Sequence, residues 1–274
     1  MIEMQSVKDV LEAYDVRNKQ STANYTDLTE IRLSPNLPKT EKKAEMIHFV
    51  LTGKPGTGKT TVAKLLGQMF YEMGYLESGH VVEVNRSQLI GEYIGQTAIK
   101  TADYIQKAMG GVLFIDEAYA LMRSNQDYFG QEAIDTLIKA MFQYKDKFIV
   151  VASGYLKEMD DFLNSNPALQ SRINEKIHIE DYTAEEMYEI LLFQATKNSF
   201  RFSGELLKKL PNFCENWVNS ANENWGNARE AVVLINHMIR NWKKDADAKS
   251  IVEDGQTIGI LEEKHIPETL LDNL

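Results

Sequence analysis

An α/β sandwich built on a five-stranded parallel sheet, with a small helical domain behind it, is the fold class this sequence predicts. Three observations predict it. The octapeptide Gly53-Lys54-Pro55-Gly56-Thr57-Gly58-Lys59-Thr60 has the G-x-x-x-x-G-K-[ST] spacing of a P-loop, and it stands between an apolar run, 47–52, and a stretch of helical periodicity. Further apolar runs of strand length, 81–85, 112–115, 148–153 and 176–179, alternate with helix-period segments, the pattern of a parallel sheet covered on both faces. From about residue 182 the runs give way to helical spacing through 184–198, 204–219 and 227–242.

The chain has 274 residues, 43% of them hydrophobic, enough for one large core and a smaller satellite. The formal net charge of −10 lacks the basic footprint of a nucleic-acid binder, and the small cluster Lys39, Lys42, Lys43 is interrupted by Glu41 and Glu45. No apolar run reaches membrane-spanning length, and the N-terminus lacks the pattern of a secretory signal. A single cysteine, Cys214, excludes an internal disulfide and fits a reducing compartment, so the expected address is the cytoplasm.

In chain order, residues 1–20 hold a weakly amphipathic helix with Val7, Val10, Leu11 and Tyr14 on one side. Residues 21–40 are polar, carry Pro35 and Pro38, and read as loop. The first strand and the P-loop follow, then a helix with Val62, Leu65, Leu66, Met69 and Phe70 on one face and Gly74 as its C-cap. After the strand at 81–85 comes Ile90-Gly91-Glu92-Tyr93-Ile94-Gly95, an apolar-aromatic segment bracketed by glycines. Helices are expected at about 97–109 and 130–144, and a late strand at Ile258–Leu261. The expected domains are an N-terminal helix and linker over 1–45, the sandwich over 46–181 and the helical domain over 182–274.

The chemistry begins at the P-loop. Glycines at 56 and 58 let backbone N–H groups turn inward as a nest for anionic oxygens, at the start of a helix whose dipole favours negative charge. The expected cradle is Gly53, Pro55, Gly56, Thr57, Gly58, Lys59, Thr60 and Thr61. Lys59 reaches the β- and γ-phosphates of ATP, and the Thr60 hydroxyl ligates the accompanying Mg²⁺. Asp116-Glu117 closes a buried strand in the Walker B manner. Asp116 holds the metal, and Glu117 polarises the water that attacks the γ-phosphate. Alternation at the strand end would point the two carboxylates at different targets.

Five segments in order, Gly53–Thr60, Leu89–Thr97, Gly111–Tyr119, Asn166–Ile173 and Gly226–Arg229, resemble AAA+ ATPases of the CbbX/CfqX type, a group that includes stage V sporulation protein K and the red-type Rubisco activases. The resemblance covers nearly all of 45–245 and implies a P-loop NTPase sandwich with an AAA+ lid. It implies that Arg172 is an arginine finger acting on the nucleotide of a neighbouring subunit. It makes Arg229 the sensor-2 arginine on its own subunit's phosphates and Ser153, followed by Gly154-Tyr155 rather than the Thr-Asn of many relatives, the sensor-1 residue. Tyr93-Ile94 matches the pore-loop aromatic by which a ring, in this family a hexamer, grips a protein client. Core packing is the other reading of Tyr93 and Ile94, and Tyr182 and Ile190 face the same choice between adenine and core. Family members carry a longer segment ahead of Val7-Lys8 that walls the adenine, which implies a shortened wall or a piece of a larger protein.

Hydrolysis of ATP to drive remodelling or threading of a protein client is the reading adopted. Two rivals stay open at this point, a monomeric P-loop kinase with an acceptor pocket and a nucleotide-gated scaffold with little hydrolysis. No membrane or nucleic-acid partner is expected.

Overall fold

The computed structural model describes residues 47–93, 95–124, 126–145, 147–222 and 225–273. The expected N-terminal helix and linker, the Lys39, Lys42, Lys43 cluster and Ile94 lie outside them. The described residues form two compact units. One runs to Thr52 and resumes over Lys59–His178; the other joins Gly53–Gly58 to Ile179–Leu274.

In the first unit β1 (His48–Thr52), β2 (Val81–Val84), β3 (Val112–Ile115), β4 (Ile149–Gly154) and β5 (Ile173–His178) form a sheet of order β2-β3-β4-β1-β5. Every pairing is parallel. All residues of β1, β3 and β4 are buried, because helices cover both faces and continuous apolar runs have no wet side. On one face Val50, Leu113, Ile115, Val150 and Ala152 pack with Ile105, Ile134, Leu137 and Phe162 from α3 (Gln96–Lys107), α4 (Tyr128–Gln143) and α5 (Leu156–Asn164). Each fully buried side chain of this size stabilises the fold by about 2 kcal/mol. On the other face α1 (Lys59–Glu72) buries Ala63, Leu66, Gly67 and Phe70, and Phe70 meets Phe49 edge-on at 5.9 Å. Val62, Leu65 and Met69, expected on the buried face, are half-buried instead. The stripe is rotated because Gly67 lets the helix approach Gly79 and Val112.

The edge strand β5 starts three residues before the expected apolar run. Its first half, Ile173-Asn174-Glu175, pairs with His48 and Phe49, but an edge strand has one free side, so polar residues there hide it. Two short helices, α2 (Arg86–Leu89) and α6 (Pro167–Gln170), and a 3₁₀ turn at Ala118–Leu121 complete this unit.

The second unit packs α7 (Ala184–Lys197), α8 (Gly204–Asn219) and α9 (Ala228–Lys244) around Met187, Leu191, Phe213, Trp217, Leu234 and Met238. It is not purely helical. β6 (Phe200–Phe202), β7 (Ser250–Glu253) and β8 (Gln256–Leu261) form a sheet of order β6-β8-β7. Three residues of β6 are too few to show a period in sequence. The β7–β8 hairpin did leave a signal, because Asp254-Gly255 at its tip takes positive φ at both positions, 48° and 76°, as a two-residue hairpin turn demands. Cys214 is fully buried, which pushes its thiol up to about 12 and makes it inert. Among the described residues no helix is long and apolar enough to cross a membrane.

One residue of β1 makes folding acid-sensitive. Burial, and then the nearby charge of Arg172, hold His48 down to about 4 from 6.5. Its Nδ1 accepts the Val150 N–H at 3.0 Å. Above pH 6.5 the ring is neutral folded or unfolded. Between 6.5 and 4 only the unfolded chain takes the proton, so stability is lost as pH falls, by about 3 kcal/mol in full. Urea unfolding at pH 7 and pH 4.5 checks this. His48→Asn, which keeps an acceptor without the titration, is expected to lose less over that interval, and equal losses would contradict the assignment.

Candidate active site

The three central strands, β3, β4 and β1, end side by side, and in an open parallel sheet ligands bind beyond such carboxyl ends. Asp116 follows β3 directly, its N–H donating to the Val84 carbonyl at 2.8 Å. Ile115 pairs with Ala152, so the next residues along, Asp116 and Ser153, face each other. Ser153 is fully buried and its hydroxyl donates to Asp116 Oδ1 at 2.8 Å. The Glu117 N–H donates to the same oxygen at 3.1 Å. Two donors thus orient the Asp116 carboxylate. Glu117 itself is exposed and left-handed, with φ 48° and ψ 51°, a conformation costing a non-glycine residue on the order of 1–3 kcal/mol. Strand alternation is therefore not what separates the two carboxylates. β3 stops at Ile115, and the left-handed turn at 117 sends the second carboxylate elsewhere.

Lys59 and Thr60 are the first two residues of α1 and are half-buried, while Thr61 is exposed. The loop before them, Gly53–Gly58, is held by the second unit. The Thr57 hydroxyl donates to the Lys54 carbonyl at 2.9 Å, and the Tyr182 hydroxyl donates to the Thr57 carbonyl at 3.0 Å. Gly56 has φ 75°, and a Cβ there would lie 2.0 Å from the Gly226 carbonyl oxygen. The glycine thus serves close backbone approach as well as loop curvature. Arg229, the second residue of α9, is exposed and its backbone N–H donates to the Gly226 carbonyl at 3.0 Å. Tyr182 and Ile190 both pack against the core of this unit. A cavity of about 540 Å³ beside the loop is lined by Lys54, Asp181, Tyr182, Val218, Asn222 and Trp225, among others.

Asn227 is the residue that sequence reasoning missed. It is fully buried, with φ 52° and ψ −128°. Its Oδ1 accepts the Tyr182 N–H at 3.0 Å, and its Nδ2 donates to the Pro55 carbonyl at 3.3 Å and to Asp181 Oδ1 at 3.0 Å. Asp181 also takes Lys54 at 2.5 Å, a half-exposed pair of small net worth. A signal existed, because asparagine is enriched at positive φ and it stands two residues before the arginine of Gly226–Arg229. Asn227→Ala is expected to strand buried groups at a cost of about 2 kcal/mol or more, read as a melting temperature lower by several degrees. Asn227→Asp should be worse, since it sets a carboxylate against Asp181. A variant melting with the wild type would contradict this role.

Arg172 stands elsewhere. His48 pairs with Ile173 at the start of β1 and Leu51 with Ser153 near its end. Three residues of strand, roughly 10 Å, therefore separate the Arg172 rim of the sheet from the Ser153 rim. The Arg172 guanidinium lies 5.3 Å from the centroid of the Phe142 ring, which is exposed, and its Nε is buried without a partner. Tyr93 is 67% exposed on a loop whose base is tied down. Gly91 N–H donates to Thr97 Oγ1 at 3.0 Å, and the buried Thr101 hydroxyl donates to the Leu89 carbonyl at 3.2 Å.

The donors available for a metal are hard oxygens, one carboxylate at Asp116 and one hydroxyl at Thr60. Among the described residues no group of three or more His, Cys, Asp or Glu gathers into a metal cage. Such a set fits Mg²⁺, which needs one or two protein oxygens, substrate phosphates and its own waters.

Known protein families match most of this chain. The ATPase family associated with various cellular activities (AAA) matches residues 49–181, and the AAA lid domain matches residues 183–263. Stage V sporulation protein K of Bacillus subtilis (strain 168) is 47% identical over 169 residues, 62% of this chain and 52% of that protein. Protein CbbX of Cereibacter sphaeroides is 48% identical over 145 residues, 53% of this chain and 47% of that protein. The chloroplastic ribulose bisphosphate carboxylase/oxygenase activase of Cyanidioschyzon merolae is 42% identical over 163 residues, 59% and 56% of the two chains. The chain thus spans about half the length of these curated relatives. Among solved structures, Thermotoga maritima RuvB shares the fold, with a TM-score of 0.56 and 17% identity over 88% of this chain and 62% of that one.

Proposed function

The chain belongs to the AAA family of ATPases, and on that premise we propose that it hydrolyses ATP to ADP and phosphate. The reading further takes it to work as a ring, a hexamer by resemblance, in the cytoplasm, and to use the energy to remodel or thread a protein client. The observation that carries the hydrolytic reading is the Asp116–Ser153 hydrogen bond with the left-handed Glu117 beside it, at the carboxyl edge of the sheet.

In this reading the amides of Gly53–Gly58, with Lys59, hold the phosphates at the start of α1. Thr60 and Asp116 supply oxygens to Mg²⁺, which neutralises phosphate charge. Ser153 keeps the Asp116 carboxylate in place, and Glu117 accepts the proton of the attacking water. Arg229 adds a cation on the phosphates of its own subunit. Arg172, at the opposite rim of the sheet, serves a neighbour's nucleotide, and its distance from Ser153 along the strands supports that reading. The exposed Tyr93 on its tied-down loop supports a role in gripping a client.

The test is phosphate release from ATP by the purified chain, with Mg²⁺ and with EDTA, across a range of protein concentrations. Release that needs Mg²⁺ and rises per subunit as the protein assembles is expected. Absence of release at every concentration would falsify the hydrolytic reading.

A further inference from the structure

Arg86 has no part in the roles above, yet it is heavily engaged. It opens α2, separated from the end of β2 by one residue, with a side chain only 18% exposed. Nη1 donates to the carbonyls of Ala120 at 3.0 Å and Leu121 at 2.6 Å. The same guanidinium takes Asp127 in bidentate fashion, Nη1 to Oδ2 at 2.6 Å and Nη2 to Oδ1 at 3.2 Å. Asp127 in turn accepts the N–H groups of Arg123 at 3.2 Å and Gly130 at 2.9 Å, the latter as the cap of α4. Burial alone would disfavour its charge, but Arg86 and the two amides outweigh burial and hold the carboxyl below its usual range. The packing is tight, since a Cβ on Gly130 would lie 1.7 Å from the Leu121 carbonyl oxygen.

The carbonyls that Arg86 holds belong to the 3₁₀ turn Ala118–Leu121, and the residue leading into that turn is Glu117. At the other end of the same stretch, Asp116 N–H is bonded to Val84, two residues before Arg86. Glu117 therefore sits in a short arch whose two feet both rest on Val84–Arg86. A left-handed glutamate persists only where its surroundings over-determine it, and the Arg86 fork is the polar group that fixes the far foot. An ammonium lacks the planar fork needed to meet two carbonyls and both carboxylate oxygens at once.

We propose that Arg86 is a positioning residue for Glu117, holding the turn after it so that its carboxylate stays aimed at the attacking water. The proposal rests on the hydrolytic reading of Glu117.

Arg86→Lys and Asp127→Asn, assayed in the full chain well below their melting temperatures, test it. A displaced catalytic group costs up to about 100-fold in rate, so kcat for phosphate release per folded molecule is expected to fall about 10- to 100-fold in Arg86→Lys, and less in Asp127→Asn. KM for ATP and equilibrium ATP affinity should stay within about twofold, because the phosphate cradle is untouched. A purely structural role would lower the melting temperature and leave kcat per folded molecule alone. The proposal is overturned if kcat stays within twofold of wild type in both variants, or if the loss appears in KM. Wild type and Glu117→Gln run alongside separate the two failures. An inactive wild type sinks the hydrolytic reading and this inference with it. An active wild type, a dead Glu117→Gln and unaffected Arg86 variants sink this inference alone.

Discussion

Glu117→Gln should cut phosphate release roughly a thousandfold, the scale set by losing a positioned general base, while ATP binding stays within a few-fold of wild type. The amide keeps the size and the left-handed backbone of Glu117 but cannot take a proton from water. The groups proposed to hold phosphate, Lys59 and the loop amides, are unchanged. Phosphate release under saturating Mg²⁺–ATP, with equilibrium binding of a fluorescent ATP analogue, reads both halves of the expectation. Glu117→Gly provides a sign-reversed control. Glycine adopts φ 48° without a Cβ clash, so that variant should lose the same activity without melting earlier. Turnover within tenfold of wild type in Glu117→Gln would remove Glu117 from the chemistry.

Arg172→Ala should be comparably damaging, since an arginine finger is worth about 10³-fold or more in phosphoryl transfer. Its decisive form is a mixing experiment. Arg172→Ala subunits keep their own Asp116 and Glu117, and Glu117→Gln subunits keep Arg172. If Arg172 works on a neighbour's nucleotide, each variant alone is nearly inactive, and their mixture recovers a measurable fraction of wild-type release. If Arg172 works within its own subunit, mixing recovers nothing. The second result would contradict the trans reading that its position at the amino rim of the sheet supports. The side chain carries little that would pin it there, with Nε unpartnered and the guanidinium resting on an exposed ring.

Legibility followed length scale. The P-loop, the Asp116-Glu117 pair and the five strands are written in contiguous residues, and the parallel sheet followed from runs buried on both faces. What stayed hidden in sequence was made by partners far apart in the chain. Asn227 reads as one polar residue among many until Pro55, Asp181 and Tyr182 gather around it. Arg86 reads as the start of a short helix until Leu121 and Asp127 close on its fork. β6 and the first half of β5 were missed because three residues carry no period and an edge strand need not be apolar.

The sequence by itself determined the P-loop motif, the order of the five strands of the parallel sheet along the chain, and the family. Each rests on local spacing, which a chain carries whether or not it is folded. Only the tertiary structure decided that Ser153 orients Asp116, that Glu117 is held left-handed, and that Arg172 stands at the opposite rim of the sheet from Ser153. Those facts depend on strand register and on carbonyls presented by distant turns. Register is set by burying a whole sheet at once, so no single segment encodes it.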